Sequence, residues 1–142
     1  MRWLLDTCVL SEFAKPSPDP RIVEWLRAQS DADLALSVLT IGEIEKGIHR
    51  LPESAKKRRL SDWLSTGIVR RFEDRILPID IHVARQWALS QAQAEMKGRP
   101  VAAIGGLLAA TALVHRLTLV TRDHSDMEAT GVSLLNPWSI ER

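Results

Sequence analysis

The chain has 142 residues, 45% hydrophobic and 26% charged, with a formal net charge of +1. That length carries one domain with a real core and is too short for two, the composition is ordinary for a soluble globular protein, and the near-zero charge excludes a global polycation that would announce nucleic-acid binding. The single cysteine, Cys8, cannot close an intrachain disulfide, no charged-then-apolar leader opens the chain, and no apolar run reaches the roughly 18 residues a membrane span needs. These features predict a cytoplasmic protein without membrane association.

In chain order, Trp3–Asp6 is a short apolar run closed by a carboxylate and reads as a buried strand. Pro16-Ser17-Pro18-Asp19-Pro20 breaks the chain, and Asp19 followed by Pro20 is a helix start, with Ile22, Trp25 and Leu26 at helical spacing behind it. Leu34–Ser37 is a second strand, and Thr40–Leu51 carries Ile41, Ile44, Ile48 and Leu51 on one helical stripe. The stretch from Glu53 to Phe72 is mostly helix. Its basic residues, Lys56-Lys57-Arg58-Arg59 and Arg70-Arg71, are partly balanced by Glu53, Asp62, Glu73 and Asp74 and read as a solvated face. Ile76–Ile79 is a third strand, at a sheet edge because of Pro78. Asp80 caps a helix over Ile81–Met96, a second and more apolar helix runs from about Val101 to His115, and strands follow at Thr118–Thr121 and Ser133–Leu135. There is no internal repeat and no linker. Strands alternating with helices predict one domain over residues 1–142, a three-layer α/β/α sandwich with a mostly parallel sheet.

Three carboxylates fall at comparable places, after strands or early in the following helix: Asp6, Glu43 and Asp123. In an open α/β sheet the carboxyl ends of the strands converge on one crevice, so such residues meet there and point to a hard divalent cation. Each also has a bland role. Asp6 can form an Asx-turn or cap a helix, with Thr7 ordering the same turn. Thr40-Ile41-Gly42-Glu43 fits a capping box, and physics alone leaves Glu43 and Glu45 open as alternatives. Asp123 and Asp126, with Ser125, can simply make a turn. Cys8 has no positioned histidine and reads as a small buried thiol, and no histidine shows metal-ligand spacing.

Leu4-Leu5-Asp6-Thr7, Ser37-Val38-Leu39-Thr40-Ile41-Gly42-Glu43-Ile44, Leu107-Leu108-Ala109-Ala110-Thr111-Ala112, Leu119-Val120-Thr121-Arg122-Asp123 and Leu135-Asn136-Pro137-Trp138 resemble a PIN-domain ribonuclease. The subgroup they resemble is the VapC/FitB-like toxins of bacterial toxin–antitoxin pairs. The motifs run almost end to end in family order.

The resemblance implies a Mg²⁺- or Mn²⁺-dependent endoribonuclease whose acidic cluster matches Asp6, Glu43 and Asp123, with Thr7, Thr121 and Asp126 in support. It also implies an RNA substrate, a homodimer, and a cognate antitoxin protein whose C-terminal segment wraps the toxin and blocks the acidic crevice. Two departures stand out. Cys8 replaces the Asn that the family carries after Asp-Thr, and Ile104-Gly105-Gly106-Leu107 replaces a motif whose Asp is a principal metal ligand. Gly105 is therefore a vacated ligand position, and no local preference explains a glycine there, since Gly costs about 1 kcal/mol in a helix interior. The expectation is a nuclease with impaired metal binding. The alternatives are a catalytically silent PIN module that binds protein or RNA, and an unrelated α/β phosphatase, which would need a phosphate-cradling glycine turn that is missing here.

Overall fold

The computed structural model describes residues 1–139. Five strands form one sheet: β1 (Trp3–Leu5), β2 (Leu34–Ser37), β3 (Ile76–Leu77), β4 (Thr118–Val120) and β5 (Leu134–Leu135), in the order β3-β2-β1-β4-β5. Every pairing is parallel, with Trp3 opposite both Leu34 and Thr118, Leu36 opposite Ile76, and Leu119 opposite Leu134. Parallel neighbours need crossovers, supplied here by helices α1 (Thr7–Phe13), α2 (Pro20–Arg27), α3 (Val38–His49), α4 (Ala55–Asp62), α5 (Ile81–Met96), α6 (Ala103–His115) and α7 (His124–Met127).

The alternation of side chains along each strand explains why both faces of this sheet are covered. Leu4, Ala35 and Leu119 enter a core with Ala94, Leu108, Ala109 and Ala112 of α5 and α6. Their neighbours Leu5, Leu34, Leu36 and Val120 enter the opposite core with Val9, Leu10, Ile22, Ile48 and Leu64. Leu4, Leu5, Leu36 and Leu119 are fully buried, and truncating one of them to Ala costs on the order of 2–5 kcal/mol. This is the predicted three-layer α/β/α arrangement.

Several boundaries differ from the sequence-based ones. The strand expected over Ile76–Ile79 stops at Leu77, because Pro78 has no N–H to extend the ladder, and β3 is an edge strand as Pro78 predicts. The helix expected from Thr40 begins at Val38, where the Ser37 hydroxyl accepts from Leu39 N–H at 3.0 Å. Two short helices are absent from the sequence-based elements: α1 follows Asp6, which reads as an Asx-turn or a helix cap, and α7 occupies a stretch that reads as a turn. The basic stretch is helical as expected, but α4 continues over Trp63–Val69 with wider π-helical winding. Among the described residues, no helix is long and apolar enough to cross a membrane.

Candidate active site

From β1 the chain moves outward in one direction to β2 and β3, then returns to the other side of β1 to lay down β4 and β5. The gap between β1 and β4 is therefore the topological switch point, where a crevice opens beyond the strands' carboxyl ends. Asp6 leaves β1 there and Thr121 and Asp123 leave β4. A cavity of about 430 Å³ occupies the crevice, and Asp6, Glu43, Asp123, Asp126 and Gly105 all line it. Val101, Leu108 and Met127 form an apolar wall.

Asp6 is only 7% exposed. Its Oδ1 accepts from Thr7 N–H at 2.7 Å and so caps α1, while its Oδ2 accepts from the Thr121 hydroxyl at 2.7 Å. The capping role and the place in the cavity thus belong to one side chain. Burial pushes the Asp6 carboxyl above its ordinary pKa, the hydrogen bonds from Thr121 and Thr7 pull it back, and the charges of Glu43 and Asp123 raise it further. Thr121 also accepts from Asp123 N–H at 3.0 Å, so one hydroxyl ties the ends of β1 and β4 together.

Glu43 lies in the second turn of α3 and its Oε1 accepts from the Thr7 hydroxyl at 2.6 Å. Because Ser37 caps this helix and Thr40 is buried inside it, the capping-box alternative for Glu43 fails. Glu45 is exposed and faces His49 at 4.0 Å, away from the cavity, so the geometry selects Glu43. Asp123 and Asp126 are exposed at the cavity rim. Cys8 Sγ lies 3.9 Å from both Asp6 Oδ2 and the Thr121 hydroxyl, at the edge of contact. Burial and the neighbouring Asp6 charge hold the thiol above its ordinary pKa, which fits an unreactive group.

Gly105 sits in the first turn of α6, whose N-terminus has no side-chain cap. A Cβ built at Gly105 would lie 2.5 Å from the Met127 methyl carbon and 3.4 Å from its sulfur. Met127 therefore fills the space beside this glycine. No sequence signal marked Met127, which ends the short helix α7 four residues after Asp123.

The fit to a divalent cation is incomplete. Mg²⁺ and its relatives bind oxygen ligands in close array, yet among the described residues no three His, Cys, Asp or Glu side chains come together to hold a metal ion. Both Asp6 oxygens and one Glu43 oxygen are already engaged by hydrogen bonds. Gly105 contributes no carboxylate.

The class defined by these features is an α/β protein with an acidic crevice at the switch point of an all-parallel sheet. The chain belongs to the PIN-domain family, whose model, described as PIN domain, matches residues 3–131. Toxin FitB of Neisseria gonorrhoeae is 40% identical over 135 residues, spanning 95% of this chain and 97% of FitB. VapC ribonuclease Y4jK of Sinorhizobium fredii is 34% identical over 135 residues, spanning 95% and 96% of the two chains. A solved structure of FitAB bound to an IR36 DNA fragment matches at a TM-score of 0.94 and 38% identity, over 99% of this chain and 98% of its counterpart. The family resemblance carried by the sequence motifs is thereby borne out.

Proposed function

We propose that this chain is a ribonuclease toxin of a toxin–antitoxin pair in which RNA cleavage is impaired at Gly105. The observation that carries this reading is the convergence of Asp6, Glu43, Asp123 and Asp126, from separate parts of the chain, on one cavity that also takes in Gly105. The likeness to toxin FitB and to the VapC ribonuclease supports the reaction class. The cation implied by the family, Mg²⁺ or Mn²⁺, has Asp6, Glu43 and Asp123 as candidate ligands, and its occupancy is weak because a ligand and a negative charge are missing. By likeness to the DNA-bound FitAB complex, the partner is an antitoxin protein, and its binding survives the loss of activity because apolar anchors rather than one carboxylate set most of such affinities. A homodimer belongs to the same reading. The second reading, a silent PIN module, is favoured by one observation: Met127 already packs into the space beside Gly105.

The experiment compares cleavage of total RNA, with Mg²⁺ or Mn²⁺ and with EDTA, by the wild type and by Gly105→Asp. Restored cation-dependent cleavage is expected. The new carboxylate stands in the first helical turn, where the helix dipole favours it by about 0.3–1 kcal/mol, but Met127 must give way. Gly105→Asp combined with Met127→Leu, which withdraws the methyl end, recovers more activity than Gly105→Asp alone. Equal cleavage by the wild type and both variants contradicts the assignment of Gly105, and no cleavage by any of them favours the silent module.

A further inference from the structure

The acidic cavity does not end at Glu43. A second depression, about 460 Å³, runs along the exposed face of α3 and shares Glu43 and Ile104 with the first. Gly42 and Gly47 line its floor, and a Cβ at either would meet nothing within 4 Å, so the space above the helix backbone is open. Lys46 and Arg50 line it too, exposed and outside every ion pair of the described residues. Glu43, Lys46 and Arg50 recur at helical spacing, which puts carboxylate and cations in one line along α3. The two cations are separated by a helix rise of about 6 Å, a spacing suited to neighbouring phosphates of an extended strand.

We propose that this groove is a binding track for single-stranded RNA: the strand leaves the acidic cavity over Gly42 and Gly47, with successive phosphates on Lys46 and Arg50. The inference rests on the ribonuclease reading and assigns the substrate's path within it. Continuity decides the occupant. A polyanion leaving a carboxylate-lined cavity must pass repelling charges, and cations placed one and two turns beyond Glu43 offset them for a phosphate backbone. Val38, Leu39 and Ile104 add apolar walls beside the glycines, but an apolar peptide anchor alone would leave Lys46 and Arg50 without a counter-charge. The basic stretch on α4, although richer in charge, does not line this groove.

The test is fluorescence anisotropy with a labelled oligouridine in EDTA, where the strand stays intact. Lys46→Ala/Arg50→Ala is expected to weaken binding on the order of tenfold and to flatten the slope of log K against log salt by about 1.4, from about 0.7 per lost phosphate contact. Gly47→Leu, which fills the groove without changing charge, weakens binding as well. Lys56→Ala/Arg59→Ala, an equal charge loss on the exposed face of α4, changes it less than about twofold. Wild-type affinity in both groove variants, or equal losses in the groove and α4 variants, overturns the track. So does a groove double variant that keeps RNA but loses its protein partner, which would assign the groove to that partner. If the wild type binds no RNA while Gly105→Asp cleaves it, the track falls and the ribonuclease reading stands; absence of both binding and cleavage removes both.

Discussion

Asp6 shows how one side chain can hold the fold together and strain it. Its backbone N–H donates to Val120 carbonyl at 3.0 Å, which extends the β1–β4 ladder by one rung, and its Oδ1 starts α1. Yet the carboxyl is buried beside the charges of Glu43 and Asp123, and its pKa is raised from 3.8, chiefly by that burial. A carboxyl whose folded pKa lies above its unfolded value favours the folded state in its neutral form. The stability it gives is complete below the unfolded pKa and is lost as pH rises through the folded pKa. Asp6→Asn keeps the oxygen that caps α1 and removes the ionisation. The expected result is a melting temperature higher than wild type at neutral pH, in metal-free buffer, and a gap that closes at a pH of about 3, where the wild-type carboxyl is already protonated in both states. Thermal melts at the two pH values check this. An Asn variant that melts below wild type at neutral pH would mean that the charged carboxylate is favoured by its surroundings.

At the scale of elements, α3 does the most for the site, because its start decides where Glu43 lies. Ser37 ends β2 and caps α3 without an intervening loop, so the helix leaves the sheet directly over the crevice. Glu43 then reaches the Thr7 hydroxyl of α1 and clasps the two helices together. Ser37→Ala should lower stability by about 1 kcal/mol, the usual cost of losing a serine cap, and denaturant unfolding reads it directly; no change in midpoint would mean that another group takes over Leu39 N–H. The sequence left Glu43 and Glu45 open because both stand in the same helix and only the neighbouring α1 tells them apart. That helix was itself illegible. Seven residues are too few to show a period, and its cap, Asp6, reads equally well as a turn residue. Longer elements with clear periods, α3, α5 and α6, were legible to within a few residues. Lys46 and Arg50 had a signal that helical spacing from Glu43 could have supplied.

At the scale of the whole molecule, the order of apolar runs was enough to specify a parallel sheet covered on both sides, since Leu4 and Leu5 must face opposite ways and both are apolar. The motifs then carried the family. What stayed hidden was the filling of the crevice, because Met127 meets Gly105 only through the tertiary packing of α7 against α6. The sequence was equally silent on which apolar residues remain uncovered, and α5 is where they gather. Val83, Ser90 and Ala94 bury one side of this helix, while Ile81, Leu89 and Met96 stand 68%, 55% and 86% exposed along another, with Ala88, Ala92 and the cation Arg85 also exposed between them. On the homodimer reading, a second copy of the chain would cover this side of the helix with the same row across a two-fold axis. Leu89→Glu/Met96→Glu places two charges on that row and, in a two-fold contact, four between the copies. The expected outcome is a shift from dimer to monomer in light scattering coupled to size exclusion, with helix content unchanged by circular dichroism, since both positions already face water in the single chain. A double variant with the same mass as the wild type would place the dimer contact elsewhere or remove it.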